Sequence, residues 1–371
     1  MNTFAPLLKM ASTHREYGVD LLRIIAMFMI CMIHVNFFAW FSCPSRCSSI
    51  PFAFSFASEW TEGVGIIGVN LYALITGYVC VNTEWKLARL VKLWGTVIFY
   101  ALLFVGAYCV LEAAGYRLSD SSYSNKDLCS LMCVVASGKP YWYFAAYIGV
   151  FFVSPFINKA VKAADKRTMK YLLLLLLFLF PALNLYCSVF YANAYTFLWL
   201  AVLYTMGAYV KCHAPVFPRT SVLLTISAVS STQVIFESML EVSWFLSYAC
   251  PVSVLYAVSL FVVFTRINIT NVPAQRLISW AAPAAFSVYL IQCHPWCWKF
   301  LMFKCPIWAE SLNYPACFPF IVGGSLYIVC TLIDRMRIVL FTAFRIDKLL
   351  YKLGDSLQSW GERVLTRFIR S

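Results

Sequence analysis

Residues 171–179 run Tyr-Leu-Leu-Leu-Leu-Leu-Leu-Phe-Leu, with neither the alternation of a half-buried strand nor the polar face of a surface helix. Apolar runs recur along the chain and are separated by short blocks rich in Lys and Arg. Only 12% of the residues are charged and 62% are hydrophobic, against about 25% and 45–50% in a soluble domain. Charge is sparse where most of the surface faces hydrocarbon, because an ionised group there costs several kcal/mol. A spanning segment must satisfy its backbone internally, as a helix or a closed barrel. Barrel strands alternate apolar and polar residues, and these runs do not. The expected fold class is therefore all-α, a polytopic membrane protein.

Windows of about 20 apolar residues predict about ten transmembrane helices, over 19–41, 62–82, 91–112, 141–161, 169–189, 194–211, 221–240, 244–265, 277–297 and 316–334, the last running on towards Phe344. With the N-terminus inside, only Arg46, Arg117, Lys126, Lys139, Lys299 and Lys304 fall outside; Arg23 lies within the first span and every other Lys and Arg is cytoplasmic. The positive-inside rule thus places both termini in the cytoplasm. The first apolar run lacks a small-residue cleavage site and reads as a span. The net charge of +13 is dispersed in inter-helix blocks, which argues for membrane lipids and against nucleic acid as a partner.

The sequence divides into a membrane domain, 1–335, and a basic tail, 336–371, with Leu349, Leu350, Leu353, Leu357 and Trp360 at helical spacing. The tail reads as a helix on the anionic inner leaflet, or else as an arm for a partner or nucleic acid. The Ser-, Asp- and Asn-rich segment Gly115 to Pro140 is expected to fold over one face. Cysteines recur four apart near the outer face, as Cys43/Cys47, Cys129/Cys133 and Cys293/Cys297. With His294 they give no recognised zinc spacing, so no metal is expected, and an external disulfide stays open.

Two ionisable residues, Arg23 and His34, stand inside the first span. Eleven residues at about 100° each bring both within about 20° of one face, about 16.5 Å apart along the axis. Asp20, three residues before Arg23, can pair with it. Taken singly, Arg23 reads as a snorkelling anchor and His34 as a packing histidine. On one face they read as a cation near the cytoplasmic boundary and a general base, the unperturbed imidazole pKa of about 6.5 suiting removal of a hydroxyl proton. In the second span Asn70 and Tyr78 lie within about 80° of each other and read as interhelical hydrogen-bonding groups or as acceptor-cavity residues. Trp142 and Tyr143 read as an aromatic belt or, for Trp142, as a stacking surface for a sugar. Lys86, Arg89 and Lys92 read as a positive-inside loop or as a phosphate site.

Arg23, ten intervening residues and His34 resemble the arginine–histidine motif of the acyltransferase-3 family of integral membrane acyltransferases. Four further blocks resemble that family in order: GVNLYALITGYV (68–79), with Thr76 for the usual serine; the basic WKLARLVKLW (85–94); YWYFAAYIGVFFVSPFIN (141–158); and AFSVYLIQCHP (285–295). The resemblance covers roughly residues 15–335. It departs in the last block, where the histidine expected after Tyr289, Leu290 and Ile291 is Gln292, with His294 two positions on. Lysines at two of the three basic positions keep the charge but lose the bidentate fork of arginine.

The resemblance implies a bacterial inner-membrane O-acyltransferase that moves an acyl group, in the first instance acetyl, from acyl-CoA (acetyl-CoA) to a sugar hydroxyl of a cell-surface or lipid-linked glycan. Acyl-CoA is then a substrate, and no bound cofactor is expected. Arg23, Lys86, Arg89 and Lys92 would bind donor phosphates and His34 would be the base. Asn70, Tyr78, Trp142, Tyr289, Gln292 and His294 would line the acceptor site. Nothing in the sequence sets the oligomeric state. A carrier or flippase for a glycan or lipid would also have ten helices and many aromatics, but gives no reason for Arg23 and His34 to share a face beside a basic cluster.

Overall fold

The computed structural model describes residues 15–41, 52–115, 141–186, 195–239, 247–311 and 317–370, and these residues form helices without a strand. Helix α1 spans Tyr17–Asn36 and passes into a π-helical turn, Phe37–Phe41; α2 is Phe52–Gly65 and α3 Gly68–Cys80. Helices α4 (Leu87–Ala113), α5 (Trp142–Ala163), α6 (Lys166–Tyr186), α7 (Phe197–His213), α8 (Thr220–Met239) and α9 (Pro251–Thr265) follow. Then come α10 (Val272–Ala281), a 3₁₀ turn (Ala282–Ala284), α11 (Ala285–Gln292), α12 (Pro295–Ser311), α13 (Phe318–Ala343) and α14 (Ile346–Arg370). Among the described residues, four stretches are long and apolar enough to cross a membrane: Tyr17–Ala39, Ala57–Cys80, Leu87–Ala113 and Trp142–Ala163.

Two expected spans are interrupted. The segment 62–82 breaks at Ile66–Ile67 between α2 and α3. The segment 277–297 is divided by the 3₁₀ turn at Ala282–Ala284 and again between Gln292 and Pro295, because Pro283 and Pro295 each remove a backbone donor from the ladder. Helix α12 falls where an external loop was expected. Its Lys299, Lys304 and Pro306 mask an apolar stripe, Leu301, Cys305 and Ala309, that packs on Val35, Phe38 and Phe318. Residues 116–140, with most of the expected Gly115 to Pro140 cover, and the pairs Cys43/Cys47 and Cys129/Cys133 lie outside the described residues. Cys293 and Cys297 are both free thiols.

Helix α1 is central, packing on α2, α3, α9, α10, α11 and α13. The most extensive pairing is α3 against α7, made by reciprocal glycines. A Cβ on Gly77 would lie 1.9 Å from the Tyr204 carbonyl oxygen, and one on Gly207 would lie 2.0 Å from that of Leu74. Small residues of this kind let helix backbones touch where no hydrophobic drive between helices exists. The outer faces of α4, α5 and α6 expose Val110, Phe156 and Phe178 at 68%, 76% and 70%. Such an apolar exterior fits a protein solvated by lipid.

Helix α13 continues past residue 335 to Ala343, and Arg345, in the left-handed region at φ 55°, turns the chain into α14. The corner between membrane domain and tail helix is therefore at Arg345. Above it, buried Asp334 accepts from Tyr100 at 2.9 Å and from Arg337 at 2.6 Å, fixing α13 to α4. The tail helix lies along the start of α4. Leu350 packs where Gly95 has no side chain, Gly354 abuts Ala88, Gln358 accepts from the Leu87 backbone N–H at 3.0 Å, and Lys92 pairs with Asp347 at 3.2 Å. Leu349, Leu353, Leu357 and Trp360 remain exposed on the tail helix.

Candidate active site

Residues 23, 27, 30 and 34 recur at i, i+4, i+7 and i+11, so one stripe of α1 faces a single cavity. Arg23 and His34 both line it, and its volume is about 320 Å³. The opposite stripe comes from α3 through Val69, Tyr72, Thr76 and Cys80, and α5 contributes Trp142, Tyr143, Phe144 and Tyr147. Ala282 and Pro283 of the 3₁₀ turn, with Phe286 and Tyr289 of α11, close a further side. The interruption within the expected span 277–297 thus forms part of the wall.

At one end Arg23 donates through Nη1 to Asp20 at 2.9 Å, the pair the spacing predicts, and Asp20 also accepts from Arg15 at 2.6 Å. A guanidinium carries five N–H donors, so an anion in the cavity can still be bound. Tyr72 donates to the Arg23 carbonyl at 3.1 Å, tying α3 to α1. At the other end the His34 Nδ1 lies 3.4 Å from Gln292 Oε1, and the Trp298 ring meets the imidazole edge-on at 5.2 Å.

A smaller cavity of about 40 Å³ holds Lys86 and Arg89 in its wall and shares Thr76, Cys80 and Tyr147 with the larger one. The three basic residues do not form one face. Lys86 precedes the helix, in extended backbone, and pairs with Glu84 at 3.0 Å. Arg89 donates to Thr83 Oγ1 at 2.8 Å, whereas Lys92 turns to Asp347 of the tail helix.

Of the residues expected on the acceptor side, Trp142 and Tyr289 line the large cavity. Asn70 does not: it is fully buried, donating to the Tyr248 carbonyl at 2.8 Å and accepting from Trp199 at 3.2 Å. Tyr78 is also elsewhere, donating to Glu16 at 2.8 Å in a cluster with Lys211. His294 is fully buried, stacked on Phe104 at 3.8 Å, and its Nδ1 accepts from the Trp296 N–H at 3.3 Å. Gln292 sits behind His34 and outside the cavity wall.

Two features go beyond the sequence-based expectation, one outside the cavity wall and one within it. Glu62 lies within the apolar stretch Ala57–Cys80 and accepts from Asn36 of α1 at 3.0 Å; a carboxylate inside such a stretch was the available signal. Tyr248 lines the cavity, and with Trp142 and Tyr195 it forms an aromatic cluster, Trp142 to Tyr248 stacked at 18° and Trp142 to Tyr195 at 4.4 Å. No local pattern connects these three residues. Among the described residues no group of three or more His, Cys, Asp or Glu is placed to hold a metal ion.

A family model described as an acyltransferase domain matches residues 16–333. No curated protein and no solved structure matches the chain.

Proposed function

This chain belongs to the acyltransferase-3 family of membrane acyltransferases, and from that premise we propose that it moves an acyl group, in the first instance acetyl, from acyl-CoA to a sugar hydroxyl of a cell-surface or lipid-linked glycan. The observation that carries the reading is that Arg23 and His34 line one cavity. Lys86 and Arg89, in the adjoining cavity, bind phosphates of the donor with Arg23, and the thioester arm extends along the α1 stripe towards His34. Lys92, held by Asp347, contributes less. The imidazole Nε2 removes the proton of the acceptor hydroxyl, the oxygen attacks the thioester carbonyl, and the coenzyme leaves as a thiolate that recovers the proton. Trp142, Tyr195 and Tyr248 offer the flat apolar faces on which a sugar ring stacks. Purified protein in liposomes, given acetyl-CoA labelled in the acetyl group and a glycan acceptor, should transfer label to the glycan. Movement of intact glycan without label would favour a carrier instead.

Arg89 tests the donor end. Arg89→Ala should raise the KM for acyl-CoA tenfold or more at low salt, since a hydrogen bond to a charged group is worth roughly 1.5–3 kcal/mol, with a smaller change in the KM for the glycan. Added salt should weaken donor binding in the wild type more than in the variant. A well-inserted variant with unchanged acyl-CoA affinity would remove the donor assignment.

The same reading requires ten spans in the bacterial inner membrane with both termini cytoplasmic, so that the basic segments face the coenzyme pool. Reporter fusions after Lys166 and after Arg335 should read as cytoplasmic, and one at Lys126 as external. A cytoplasmic Lys126 would put the donor site on the wrong face.

A further inference from the structure

We propose that Gln292 is a positioning residue for His34: its side-chain oxygen accepts the Nδ1–H of the imidazole, leaving Nε2 unprotonated towards the cavity. The inference rests on the reading of His34 as general base. Gln292 is 1% exposed and contributes nothing to the cavity wall, so direct contact with substrate is excluded by its place in the fold. Its two amide ends have unequal neighbours. The nitrogen lies 3.5 Å from the sulfur of Met27, and the oxygen 3.4 Å from His34 Nδ1. A thioether only accepts, which assigns the N–H end to Met27 and turns the carbonyl towards the ring. A carbonyl on that side selects the neutral tautomer with its proton on Nδ1 and its lone pair on Nε2. Trp298 holds the ring plane from the side.

The carboxamide also acts after the proton moves. Once Nε2 takes the hydroxyl proton the imidazole is cationic, and its Nδ1–H to Gln292 bond becomes charge-assisted and stronger. A carboxamide cannot itself take that proton, so the proton stays on the ring until the departing thiolate recovers it. The residue that interrupts the family pattern at this position therefore serves the base without being one.

Gln292→Leu keeps the size and removes the acceptor; Gln292→Glu keeps an acceptor. The leucine variant should lower kcat roughly tenfold to hundredfold, the loss of one charge-assisted hydrogen bond, with the KM for acyl-CoA and for glycan unchanged, and the glutamate variant should recover most of the rate. Should the leucine variant fail to fold, Gln292→Met is read in its place. An unchanged kcat, a raised glycan KM, or equal losses in the leucine and glutamate variants would each overturn the assignment. A second readout needs no acyl transfer: carbethoxylation of His34 by diethyl pyrocarbonate, followed by mass spectrometry without substrates, should be slower in the leucine variant. Equal labelling rates would overturn the tautomer argument even if the wild type proved not to transfer acyl groups, whereas absence of transfer by a wild type with the expected labelling difference would overturn only the proposed function.

Discussion

A His34→Ala protein is expected to insert and fold as the wild type does and yet to lose acyl transfer by about 10²–10⁴-fold, the contribution of a positioned general base. Folding should survive because the side chain faces a cavity that already exists, so truncation enlarges a space and opens no new one. The substitution removes the 3.4 Å bond to Gln292 and the edge-on packing against Trp298, an aromatic pair of this kind being worth about 0.5–1.5 kcal/mol. Acyl-CoA affinity should change little, since Arg23, Lys86 and Arg89 lie towards the other end. The measurement is the initial rate of label transfer from acetyl-CoA in liposomes, beside elution volume in detergent. Wild-type turnover in a well-folded variant would remove the base mechanism.

The second large effect is expected at Gly77. In Gly77→Leu the new side chain meets the backbone of α7: a Cβ alone would lie 1.9 Å from the Tyr204 carbonyl oxygen and 2.8 Å from its Cα. Backbone cannot rotate aside, so α3 and α7 must separate along their length, which also parts Gly207 from Leu74. A cost above about 4 kcal/mol is expected, in the exceptional class for one substitution. Because Tyr72, Thr76 and Cys80 on α3 line the cavity, the site would be lost with the packing. Gly106→Leu, where nothing lies within 4 Å of the Cβ, is the matched control. Heating followed by size exclusion should show Gly77→Leu aggregating well below the wild type and Gly106→Leu unchanged. Equal melting of the two variants would contradict the close α3–α7 approach.

Local periodicity made α1 legible, because a face shared over three turns depends only on the 3.6-residue repeat and survives any tertiary arrangement. The same reasoning reached Asp20 with Arg23. Spacing alone does not join Lys86, Arg89 and Lys92, because three-residue steps keep a shared face only where all three lie on one helix. The helix begins at Leu87, and Lys92 is drawn off by Asp347, more than 250 residues away in sequence. Asn70 and Tyr78 were ambiguous because a polar group in a span serves packing and substrate equally well by composition. Only their partners, Tyr248 with Trp199 and Glu16 respectively, decide where they point. The sequence block 285–295 suggests a substrate contact for Gln292, a residue that cannot itself act as a base, whereas in space its side-chain oxygen faces His34.

The docked tail helix has a consequence for the order of synthesis. The start of α4, with Arg89 and Lys92, leaves the ribosome long before residues 346–370, which supply the Leu350 and Gly354 packing and the Gln358 and Asp347 bonds to it. Until residues 346–370 emerge, the Leu87 amide and the Lys92 ammonium lack the partners that this helix supplies. Contacts of this sequence separation form late, and here residues 346–370 brace the start of a helix that was made long before them. A chain stopped before residue 346 would keep the cavity lined by Arg23 and His34 but leave the start of α4, with Arg89 and Lys92, without the packing and bonds that brace it.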